Sequence, residues 1–141
     1  MHTSLFIRIC AILIACVLLL PIVTGCSVDD GNAAKIKDLD FTVIDPEDAP
    51  EKLREAMEEK EDKGFKLTYL SGDSLYIARG FGKKPTTGYQ VSVEELYLTK
   101  NGVVFNACLY GPRKKDVISQ VPTHPRIVVK LRRMEGIVIF H

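Results

Sequence analysis

The sequence predicts a mainly β fold of the α+β kind: an antiparallel β-sandwich or strongly bent sheet of about seven strands, with one amphipathic helix. Three observations point there. From Phe65 to the C-terminus apolar residues recur with period two, as in Tyr89, Val91 and Val93 against Gln90, Ser92 and Glu94. Between the runs stand Ser71-Gly72-Asp73-Ser74 and Lys100-Asn101-Gly102, both of turn composition. Only Ala49–Lys60 carries its apolar residues at helical spacing. The chain has 141 residues, enough for one domain.

The N-terminus comes first in order. His2 and Arg8 precede an apolar run, Ile9–Leu20, of twelve residues. A bilayer needs about 20 residues to span, so the run fits the core of a signal peptide. Val23-Thr24-Gly25-Cys26 follows and resembles the lipobox of bacterial lipoproteins. The resemblance implies that residues 1–25 are a lipoprotein signal peptide and that Cys26 becomes an acylated N-terminus. It also implies a lipid-anchored, extracytoplasmic place in the bacterial cell envelope, several acyl chains giving a firm anchor. Cys10 and Cys16 would leave with the leader, so Cys108 is the one thiol left without lipid. No intramolecular disulfide is then expected, and Cys108 reads as a small apolar filler on a strand.

Residues 26–38 are polar and read as a flexible tether, with the folded domain at 39–141. Leu39–Ile44 alternates as a first strand. Asp45 or Asp48 is placed to cap the helix, Asp48 with Glu51 having the form of a capping box. Ala49, Leu53, Ala56, Met57 and Lys60 form a narrow stripe, and Gly64 is a fitting stop. Strands follow at Phe65–Leu70, Leu75–Phe81, Tyr89–Thr99, Val103–Tyr110, Arg126–Leu131 and Ile137–Phe140. In Tyr89–Thr99 the apolar phase slips between Val93 and Leu96, which predicts a β-bulge at Glu94-Glu95. Asn101-Gly102 predicts a type I′ turn.

The chemistry on offer is sparse. No Cys-x-x-Cys, His-x-x-x-His or phosphate-cradling glycine loop occurs, so neither a metal nor a cofactor is expected. Carboxylate pairs on the helix, such as Glu55 with Glu59, read as a solvated face. Cys108 and His124 could be imagined as nucleophile and base, but the reading is of a non-enzyme without a small-molecule substrate. A formal net charge of +1 argues against nucleic acid. Charge is segregated, however: residues 27–63 hold 13 acidic and 6 basic side chains, and residues 64–141 hold 5 and 12. The candidate binding element is the stiff loop Pro85, Thr86, Thr87, Gly88 and Tyr89. Proline and β-branched residues lower its ordering cost on docking. Both threonine side chains are expected to be exposed. Arg113, Lys114 and Lys115, and then His124, Pro125 and Arg126, are secondary loops beside it.

Lys84-Pro-Thr-Thr-Gly-Tyr-Gln-Val-Ser-Val93 resembles the K-P-T-G-G-Y-S-x-x-V signature of the C-terminal domain of the PrcB family, protease complex subunits that are bacterial lipoproteins. Thr123-His-Pro-Arg-Ile-Val-Val-Lys130 resembles that family's T-x-P-x-x-V-V-K/R ending, and the likeness runs from about Leu75 to Leu131. Thr87 stands where the family usually has glycine, and Arg126 where an aromatic is common. The resemblance implies a protein-binding or assembly subunit whose partner is another protein, a protease among the candidates, with no assigned catalytic activity. Pro85–Tyr89 also resembles the N-P-T-T-G-Y/F loop of chagasin-type cysteine-protease inhibitors, the alternative reading. The other two inhibitory motifs of those proteins have no good match.

Overall fold

Ile77 and Ala78, and again Val128 and Val129, are neighbours in sequence with no exposed surface. Successive strand residues point to opposite faces, so the sheet holding them is covered on both sides. The computed structural model describes residues 33–141; the expected leader and Cys26 lie outside the described residues. The elements run β1 (Lys35–Asp38), β2 (Phe41–Ile44), a short 3-10 turn (Pro46–Asp48), α1 (Glu51–Lys60), β3 (Phe65–Ser71), β4 (Ser74–Gly80), β5 (Gln90–Thr99), β6 (Gly102–Tyr110), β7 (Arg126–Arg132) and β8 (Val138–Phe140).

They form two four-stranded sheets, β1-β5-β6-β8 and β2-β7-β4-β3. Leu75, Ile77, Ile127, Val129 and Leu131 of the second sheet meet Leu96, Val103, Phe105 and Ala107 of the first. The other face of the second sheet, with Phe65, Tyr76, Ala78 and Val128, receives Ala49, Leu53 and Met57. The result is a sandwich with a helix on one outer face. Leu53 and Met57 are each at most 2 % exposed, and burying such a side chain contributes about 1.5–3 kcal/mol. Ala56 is half-buried and Lys60 exposed, so the apolar stripe is narrow.

Seven strands lie close to their expected places, and the bulge falls between Val93 and Glu95. Four expectations are corrected. Lys35–Asp38, read as the end of the tether, is an eighth strand, antiparallel to β5, with Lys35 opposite Thr99. All four of its residues are exposed, so backbone pairing makes this strand and no apolar pattern announces it. β8 lies parallel to β6, and Phe140 meets Phe105 edge-on with ring centroids 5.8 Å apart.

The Lys100-Asn101 turn is not type I′, because no described residue other than glycine has positive φ. The buried Thr99 hydroxyl closes it, accepting from the Asn101 amide (3.1 Å) and donating to the Gly102 carbonyl (3.0 Å). Asp45 caps the 3-10 turn through the Glu47 amide at 3.0 Å. Pro50 precedes α1 and no side chain caps it, so Asp48 and Glu51 do not form the box.

Candidate functional site

β5 starts beside the Pro85–Tyr89 knuckle and ends at the Lys100-Asn101 turn, which sets the two poles of the sandwich. At the first pole three connections converge: the knuckle between β4 and β5, the long β6–β7 loop, and the exit of α1. Lys84 and Thr123 exchange backbone hydrogen bonds, Lys84 N donating to Thr123 O at 2.8 Å and Thr123 N to Lys84 O at 3.0 Å. The Thr123 hydroxyl donates to Thr86 O at 2.8 Å. Farther along, Thr87 N donates to Ser119 O at 3.1 Å, and Ser119 N donates to the Thr87 hydroxyl at 2.8 Å.

The knuckle is therefore clamped to the β6–β7 loop at two points. Thr86 and Thr87 are half-buried, which corrects the expectation that both side chains are exposed. Pro85 and Gly88 form the exposed crest. Gly88 has φ +91°, and a Cβ there would lie 2.9 Å from Pro112 Cβ and 3.0 Å from Ile118 Cγ2. Only glycine suits both the backbone angle and the space. Tyr89 is half-buried.

The secondary loops separate into two groups. His124 Nε2 lies 2.8 Å from Asp62 Oδ1, and Arg126 reaches Glu61 at 3.5 Å and Glu47 at 3.6 Å. Pro125 O accepts from Phe81 N at 3.0 Å, and Lys83 N donates to Asp62 O at 3.0 Å. His124, Pro125 and Arg126 thus tie the loop to the elements behind it. Cys108 stands opposite Ser92 on β5, and His124 is hydrogen-bonded to Asp62.

Arg113–Lys115 lies on the solvent side. Arg113 N donates to Asp116 Oδ2 at 2.7 Å and Asp116 N to Arg113 O at 2.9 Å, closing a tight turn. The Arg113 amide, above all, holds the Asp116 carboxyl below its ordinary range. Lys114 and Lys115 are exposed. Directly after the turn come residues that the reading of the loops passed over: Val117 at 99 % exposure, Ile118, and Val121 at 57 %. The signal was present in sequence as apolar residues in a segment without strand alternation. Nearby on β6, Tyr110 is exposed and donates to Glu94 Oε1 at 3.0 Å, a bond to a carboxylate that raises the phenol above its usual pKa.

No curated protein and no solved structure matches the chain. Residues 75–132 match the family described as PrcB C-terminal. That span starts with β4 and ends with β7, taking in the knuckle, β5, β6 and the clamped loop. Both strands buried on two faces and the entire loop clamp fall within it. Over residues 75–132 the chain is similar to the PrcB C-terminal family.

Proposed function

We propose that the protein is a non-enzymatic binding subunit of a protease complex, held to the cell envelope by lipid on Cys26 and docking through the pole built around Pro85–Tyr89. The family match suggests the protease complex. The observation that carries the binding role is the double clamp of the knuckle to Ser119 and Thr123. A loop held in one conformation before contact loses little entropy on docking. Pro85 and Gly88, small residues at the crest, let a partner approach the backbone closely.

The test is purification of the tagged full chain from crosslinked cell envelopes. The expected result is a protease in the eluate that is lost with Pro85→Arg, at an unchanged melting temperature, together with mass-spectrometric detection of acylated Cys26. Retention of the protease by Pro85→Arg would show that the knuckle is architecture alone. An unmodified N-terminus elsewhere would remove the anchor from the reading. Papain-like enzymes assayed alongside separate the inhibitor alternative: stoichiometric inhibition sensitive to Pro85→Arg would replace the subunit reading.

A further inference from the structure

Val117, Ile118 and Val121 project from a loop that is held at both ends, by the Arg113–Asp116 turn before them and by the Lys84–Thr123 bridge behind. Isolated exposed apolar residues are ordinary, but three within five positions, one of them wholly exposed, form a patch that marks a contact surface. The setting is basic. Between Phe81 and Tyr89 lie Lys83 and Lys84 with no acid, and between Gly111 and Pro125 lie Arg113, Lys114 and Lys115 with Asp116, which Arg113 already engages. The acidic residues at this pole contributed by the helix exit, Glu61 and Asp62, are taken up by Arg126 and His124.

We infer that Val117, Ile118 and Val121 form an apolar hook that inserts into an apolar cleft rimmed by carboxylates on a partner protein, Lys114 and Lys115 meeting that rim. This rests on the subunit reading above and deepens it. An anionic lipid surface would also suit basic and apolar groups together; the subunit reading favours a protein occupant, and a lipid adduct is one of the outcomes that the experiment below separates. Approach of the partner is hastened by the basic collar, and retention comes from the apolar residues.

The experiment places the photoreactive residue benzoylphenylalanine at Val117, Val121 or, at the opposite pole, Asn101 in the full chain, and irradiates native cell envelopes. Positions 117 and 121 should yield the same protein adduct. Its crosslinked peptide should be apolar with flanking Asp or Glu. Its yield should fall about tenfold in ~0.5 M salt, where surface charges are screened, and position 101 should not form it. Adducts to lipid or to a second copy of this chain at position 117 overturn the inference, as does an identical adduct from position 101 or no adduct from the hook. Co-purification of a protease alongside any of those outcomes would leave the subunit reading standing without the hook. A hook adduct with an acidic-rimmed protein, and no protease in the assembly, would do the reverse.

Discussion

At the scale of single residues, the pole depends on positions whose chemistry has few substitutes. Gly88 is one. A β-branched side chain there meets both the positive φ and the Pro112 and Ile118 side chains. Gly88→Val is expected to cost about 1–3 kcal/mol, read as a fall in the denaturant midpoint, and to weaken partner binding with it. Unchanged stability would show that the loop adjusts freely. Asp116 offers a pH handle. Its carboxyl is lowered in the folded chain by the Arg113 amide, so the stabilisation is present above the ordinary value of 3.8 and is lost as pH falls through the lowered value. The protection of the Arg113 amide against hydrogen exchange, measured against its intrinsic rate at each pH, should hold at neutral pH and fall only under that acid condition. Asp116→Asn should make exchange faster at neutral pH as well. Thr87 illustrates why type alone misleads: a threonine in a small-residue loop reads as exposed, yet its hydroxyl accepts the Ser119 amide across 32 residues of chain.

At the scale of elements, α1 is held by a few side chains. Leu53 and Met57 enter the cluster over Tyr76, Ala78 and Val128, while the remaining girth is polar. Met57→Ala is expected to cost about 2–5 kcal/mol through lost burial and the cavity left behind. Chemical denaturation measures this, and a change below about 1 kcal/mol, the range of surface substitutions, would contradict the packing. The bulge between Val93 and Glu95 was legible because it shifts the apolar phase of β5 by one. β1 was not, since Lys35-Ile36-Lys37-Asp38 has a single apolar residue, and that residue is exposed. Its pairing partner lies about 60 residues away, and hydrogen bonds between backbones leave no mark on side-chain composition.

For the whole molecule, the acidic first half and the basic second half meet where Arg126 lies between Glu47 and Glu61 and His124 beside Asp62. Arg126→Met is expected to cost about 0.5–1 kcal/mol at low salt, with the difference narrowing as salt screens the pairs; a salt-independent loss of stability would point to packing instead. The fold class, seven of the strands, the helix and the stiffness of Pro85–Tyr89 follow from the sequence by itself, since each rests on local periodicity or backbone restriction that neighbours in sequence impose. The likeness to the PrcB C-terminal family was also readable there, because it lies in two short contiguous motifs. Tertiary structure alone decided the order of strands in the two sheets and the parallel placement of β8. It also decided the pairing of the Thr87 hydroxyl with the Ser119 amide, the pairing of His124 and Arg126 with the helix exit, and the outward projection of Val117. These are contacts between segments far apart in sequence, and which surface finds a partner within the fold and which is left facing solvent is settled only when all the segments compete for the same space.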